Sequence, residues 1–263
     1  EKIGTLYAGK NGIAGALFEN LIDTSHISDE ALKKLSHTPG GAFGSCRVKL
    51  KTQAQFERLF AVFKAHNIGY FFYNGGGDSQ DTTYKIAAYA HSIGFPLVCI
   101  GIPKTIDNDL PFTDSCPGFG SAAKYIATSI REASYDLESM HSTSTKVFIM
   151  EAMGRHAGWL AAAGGLASND MESSPHIILF PEIPFDQTAF LAKVKEVTET
   201  QGYCSIIVSE GVKQANGDFL SQSHHITDEF GHAQLGGVAP ILARLIKHHL
   251  GYKYHWALPD YLQ

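Results

Sequence analysis

The sequence has little cysteine and no close cysteine pairs. Cys46, Cys99, Cys116 and Cys204 are scattered along 263 residues, which excludes a zinc ribbon or a disulfide framework and suggests reduced thiols. Charge is sparse too: charged residues make up 18% and the formal net charge is −5. That argues against a nucleic-acid surface or a polybasic membrane patch, so no nucleic-acid or membrane partner is expected. No apolar run approaches about 18 residues, and no signal peptide opens the chain. A cytoplasmic protein is therefore expected. Histidine is plentiful at 13, but His224–His225 and His248–His249 are adjacent pairs. Neighbouring side chains diverge on a helix or a strand, so these pairs make poor metal chelates. What is present is a hydrophobic content of 44%, enough for a sizeable core in one large or two ordinary domains.

The most informative stretch is Pro103-Lys104-Thr105-Ile106-Asp107-Asn108-Asp109. It follows the apolar run Leu97–Ile102, a predicted buried strand, which places polar residues where an open α/β sheet carries its chemistry. Paired carboxylates beside a lysine suit phosphoryl transfer. One can take a hydroxyl proton, the other can orient a divalent cation, and the ammonium can balance phosphate charge. An ordinary acidic turn is the alternative reading. A second strand, Ile68–Asn74, runs into Gly75-Gly76-Gly77-Asp78-Ser79 and a helical pattern. Glycines between a strand and a helix let backbone amides approach a phosphate, and the helix start adds a favourable field.

Along the chain, Ser28 is expected to cap a helix over 29–35. Thr52 and Gln55 form a capping box for a helix carrying Phe56, Leu59, Phe60 and Phe63 on one stripe. Further helices are predicted over about 79–93, from a Ser121 cap to about 140, from an Asp186 cap onward, and over 235–250. Strands are predicted at 3–7, 146–150, 176–180, 203–208 and 252–258. The segment 213–232 reads as a mobile excursion. The alternation of strands and helices points to an α/β fold with parallel sheets and helices on both faces. Arg47, after a glycine-rich loop, reads from the residues alone as a solvated charge, and Arg155, in Met153-Gly154-Arg155-His156-Ala157-Gly158, as either a surface charge or an anion contact at a helix start. Ser209-Glu210-Gly211 follows another strand, where Glu210 could accept sugar hydroxyls.

With these motifs, and Pro117-Gly118-Phe119-Gly120-Ser121 between them, the chain resembles the phosphofructokinase family, specifically its pyrophosphate-dependent branch. The resemblance implies two Rossmann-like lobes: a phosphoryl-donor lobe over 1–118, incomplete at its start, and a fructose 6-phosphate lobe over 119–263. It also implies a glycine-rich phosphate loop before residue 1 and a sugar-phosphate arginine after Gln263, so the sequence is expected to be a fragment.

The activity so implied is reversible transfer of a phosphoryl group from pyrophosphate to the 1-hydroxyl of fructose 6-phosphate, with Mg²⁺. Asp107 would be the base, Thr105 and Lys104 would act on the transferring group, and Asp109 with Asp78 would hold the metal. Gly76, Gly77, Asp78, Ser79 and Arg47 would bind the donor. Met153, Gly154, Arg155 and Glu210 would bind the sugar phosphate. Lys146 would reach a neighbouring subunit's sugar phosphate, which implies a homo-oligomer. ATP-dependent relatives carry glycine in place of Asp78 and Lys104. A carboxylate at 78 would repel the α-phosphate of ATP and a cation at 104 would serve pyrophosphate, so both positions favour pyrophosphate. Gly77 departs from the acidic residue found in many relatives, so either Asp78 and Asp109 manage the cation or it is held less tightly. The alternatives are an ATP-dependent kinase and a catalytically silent regulatory subunit; no Gly-x-Gly-x-x-Gly fingerprint supports a nicotinamide enzyme.

Overall fold

A computed structural model describes residues 4–38, 40–168, 173–221 and 237–263. His224, His225 and most of the expected excursion at 213–232 lie outside the described residues. The chain divides into two compact units, Glu1–Ile102 and Pro103–Gln263. The segment from Pro103 to Gly118 belongs to the second of these units.

The first unit opens with β1 (Tyr7–Gly9), α1 (Ile13–Leu17) and β2 (Leu21–Asp23), with β1 and β2 antiparallel. A strand at Leu21–Asp23 was not legible in the sequence, because three residues are too few to show alternation. Helix α2 (Asp29–Leu35) is capped by the Ser28 hydroxyl, which accepts from the Ala31 amide. Helix α3 (Gln53–Ala65) carries the full capping box: Thr52 accepts from the Gln55 amide, and Gln55 accepts from the Thr52 amide. Its Phe60 lies edge-on to Tyr89 and Phe95, in a core that includes Leu59, Phe63 and Ile86. Strand β3 (Tyr70–Gly75), helix α4 (Gly77–Ser92) and strand β4 (Val98–Pro103) follow. On the β3–β4 sheet, Phe71, Tyr73 and Cys99 pack on that core, while Tyr70, Phe72, Val98 and Ile100 alternate with them and are exposed.

The second unit holds α5 (Phe119–Met140), β5 (Val147–Ala152), α6 (Trp159–Ala163), β6 (Ile177–Leu179), α7 (Gln187–Gln201), β7 (Cys204–Ser209), α8 (Val238–Leu250) and β8 (Tyr254–Ala257). Its sheet is parallel throughout, in the order β6-β7-β5-β8. The two central strands are covered on both sides. Val147, Ile149, Ile206 and Val208 join the α7–α8 cluster, and Met150, Ala152 and Ile207 join the α5–α6 cluster. This is why β5 and β7 read as nearly continuous apolar runs. Asp186 caps α7 as expected, accepting from the Ala189 amide. Ser121 is not the cap of α5: the helix starts two residues earlier, after Gly118, whose φ of 94° supplies the left-handed turn that a side-chain cap would otherwise replace.

Candidate active site

In the first unit, the glycine triplet links β3 to α4. Gly75 is buried, and a Cβ there would stand 2.1 Å from the Ser79 hydroxyl, so only glycine lets the strand end so close to the helix. Gly76 is the N-cap of α4, and a Cβ on Gly77 would meet open space. The amides at this helix start are thus accessible to an anion. Asp78 lies in the first turn, and its Oδ1 is 3.0 Å from the Lys49 ammonium. Gln80 donates to the Gly75 carbonyl at 2.9 Å and to the Ile102 carbonyl at 3.2 Å. It thereby ties the ends of β3 and β4 together. Arg47 is exposed.

In the second unit, the loop after β4 is shaped by Asn108. This residue is buried and left-handed at φ 56°. Its Oδ1 accepts from the Cys116 amide at 2.8 Å, and its amide group donates to the Asp114 carbonyl at 3.3 Å. Thr105 Oγ1 accepts from the Asp107 amide at 3.2 Å. Lys104 and Asp109 are exposed. Asp107 is the unusual group: burial, then the Asp109 and Glu210 carboxylates, push its pKa up to about 6, against the pull of Arg155. A carboxylate tuned in this way is ionised at neutral pH yet basic enough to accept a proton.

Met153, Gly154 and Arg155 follow β5, and Glu210 follows β7, its parallel neighbour. The loops are stitched together. Ser209 Oγ donates to the Gly154 carbonyl at 2.6 Å and accepts from the Gly211 amide at 3.2 Å, and the Gly154 amide donates to Glu210 at 3.3 Å. Gly154 has φ 130°, and a Cβ there would sit 2.4 Å from the Ala157 carbonyl. The Met153 amide donates to Gln263 Oε1 at 3.0 Å, and the Gly158 amide to Glu182 at 2.8 Å. A cavity beside this loop is lined by Met153, Glu210, Asp260 and Gln263. Burial raises the Glu210 pKa, while the Gly154 amide and Arg155 oppose the shift.

The model of the family described as phosphofructokinase matches residues 2–258. The chain belongs to the phosphofructokinase family. It is 60% identical along its whole length to the pyrophosphate--fructose 6-phosphate 1-phosphotransferase of Methylococcus capsulatus, covering 63% of that protein. It is equally similar to the enzyme of the same name from Halomonas elongata, at 60% identity, covering 64% of that protein. The crystal structure of a pyrophosphate-dependent phosphofructokinase from Nitrosospira multiformis superposes with a TM-score of 0.87 at 56% identity, over 99% of this chain and 62% of that one. The chain thus spans somewhat less than two thirds of these relatives.

Within this member of the phosphofructokinase family, the structure brings Asp109, Arg155 and Glu210 into electrostatic reach of Asp107. It does not bring Lys146 to them. Lys146 precedes β5, and Met153 and Gly154 follow it, so they stand at opposite ends of a strand roughly 20 Å long. Sequence reasoning missed Lys49, Gln80, Glu182 and Asp260, and it named Ser209 only as part of the Ser209-Glu210-Gly211 motif, without a role. Ser209 had a usable signal in its place beside Glu210 at a strand end; the Lys49 pairing with Asp78 and the Gln80 bond to Ile102 had none, because those partners are distant in sequence. Among the described residues no group of three or more histidine, cysteine, aspartate or glutamate side chains could hold a metal, and no helix is long and apolar enough to cross a membrane.

Proposed function

We propose that the protein containing this chain transfers a phosphoryl group reversibly from pyrophosphate to the 1-hydroxyl of fructose 6-phosphate, giving fructose 1,6-bisphosphate and phosphate. The observation that carries this reading is the setting of Asp107: a largely buried carboxylate at the end of β4, raised to about 6 and faced by Arg155 and Glu210. Asp107 accepts the hydroxyl proton as the oxygen attacks phosphorus, and phosphate leaves. Positioning and charge do most of the work in such a step. Met153, Gly154 and Arg155 hold the sugar phosphate, and Glu210 accepts its hydroxyls. Gly76, Gly77, Ser79 and Arg47 hold the donor, and Thr105 and Lys104 act on the group in transfer. The donor assignment is supported by Asp78 and Lys104 and by the names of the 60%-identical relatives.

Mg²⁺ fits this oxygen-rich set. It needs only one or two carboxylates, with phosphate oxygens completing its shell. Asp109 is exposed and suited to hold it; Asp78 has one oxygen on Lys49 and is the weaker candidate. The ion would neutralise phosphate charge. In this reading Lys146, which precedes β5, serves a second copy of the protein, and a cytoplasmic homo-oligomer is part of the proposal. Formation of fructose 1,6-bisphosphate by the full-length protein, with pyrophosphate or ATP as donor, tests the proposal. Turnover with pyrophosphate alone is expected; turnover with ATP alone would overturn the donor assignment, and silence with both would favour a regulatory subunit.

A further inference from the structure

We infer that Lys49 is a positioning residue that governs affinity for the pyrophosphate donor by acting through Asp78; this rests on the reading above. The two residues are brought together by the fold of the first unit, with Lys49 Nζ 3.0 Å from Asp78 Oδ1. The lysine side chain is 25% exposed and the aspartate 42%, so the pair is half sheltered and still borders solvent. It contributes little to stability, as for most ion pairs in contact with water. Its consequence is electrostatic. The start of α4 carries roughly half a positive charge, which favours an anion at the Gly76 and Gly77 amides. A carboxylate in the first turn, at Asp78, reverses the sign of that field for an incoming polyanion. The Lys49 ammonium reverses it back.

The aspartate is therefore compatible with a small, highly charged donor only while its own charge is balanced and its side chain is held to one side. Lys49 does both. Among the described residues it is the cation that stands in a direct ion pair with the acidic residue of this loop. It precedes the buried Leu50 and the capping box of α3, so its backbone is anchored close by.

The test compares the full-length wild type with Lys49→Met, Lys49→Arg, Asp78→Asn and the Lys49→Met/Asp78→Asn double variant. Steady-state kinetics are measured with pyrophosphate, and binding of methylenediphosphonate with Mg²⁺ is measured by calorimetry. Lys49→Met is expected to raise KM for pyrophosphate and weaken diphosphonate binding by about tenfold or more. KM for fructose 6-phosphate and the melting temperature should stay unchanged, and Lys49→Arg should restore most of the affinity. In the Asp78→Asn background the same lysine change should cost less than about threefold, because the charge to be balanced is gone. An undiminished effect in that background, equal losses for both substrates, or unchanged diphosphonate affinity in Lys49→Met would each overturn the inference. A wild type that binds the diphosphonate without turning over pyrophosphate would overturn the proposed reaction while the binding comparison still decides on Lys49. A wild type that does neither would overturn both.

Discussion

The buried Ser209 hydroxyl donates to the Gly154 carbonyl across 2.6 Å and accepts from the Gly211 amide, so one side chain fixes both loops assigned to the sugar phosphate. Ser209→Ala removes the donor and leaves the carbonyl with its desolvation cost. The expected loss of stability is about 1–2 kcal/mol in urea unfolding. It should be accompanied by a higher KM for fructose 6-phosphate and an unchanged KM for pyrophosphate.

Gly154 itself is a sharper case. At φ 130°, with the Ala157 carbonyl 2.4 Å from the Cβ position, Gly154→Ala forces a shift of the loop. A stability cost of about 1–3 kcal/mol is expected, together with loss of sugar-phosphate binding by calorimetry.

Helix α5 allows a clean contrast. Gly118 holds φ 94°, and a Cβ there would press on Ile106 at 3.2 Å. Gly118→Ala is expected to lower stability by about 1 kcal/mol or more, whereas Ser121→Ala, inside the first turn, should stay within about 0.5 kcal/mol. Chemical denaturation of both variants checks this directly.

That contrast also shows what the sequence could convey. The caps at Ser28, Thr52 and Asp186 were legible because each acts within three residues of itself, through a side chain whose only competitor is water. Gly118 was overlooked because a left-handed glycine and a serine a few residues later give similar start signals, and only the backbone conformation separates them. The strand-end positions of Asp107, Arg155 and Glu210 followed from apolar runs flanked by turn residues. The Lys49–Asp78 pair, the Gln80 tie between strand ends and the Ser209 bridge join segments far apart in the chain, and no periodicity carries that information.

His176 makes stability depend on pH. Its Nδ1 accepts from the Ser205 amide at 3.0 Å and its Nε2 faces Gln201 at 2.7 Å, an arrangement that suits the neutral ring. Burial lowers its pKa below the usual 6.5. A depressed folded pKa gives stability that is complete above 6.5 and is lost as pH falls through the folded value. Relative to His176→Gln, the wild type should lose stability between pH 7 and pH 5, as measured by urea midpoints.

Asp107 has the opposite sign. Its folded pKa of about 6 stands above the 3.8 of an ordinary aspartate. Its contribution to stability is complete below 3.8 and is lost as pH rises through 6. The shift corresponds to at most about 3 kcal/mol of destabilisation at neutral pH. Asp107→Asn is therefore expected to be more stable than the wild type at pH 7.5, with the gap closing by pH 4.

The same variant tests the central claim most directly. The pH dependence of kcat/KM for fructose 6-phosphate, with pyrophosphate and Mg²⁺, would be measured for the wild type and for Asp107→Asn. The wild-type profile should fall on the acid side as Asp107 takes up a proton, and Asp107→Asn should lose about 10²–10⁴-fold in rate and no longer show that acid limb. An Asp107→Asn protein that keeps its rate within about tenfold and retains the limb would contradict the assignment of Asp107 as the base.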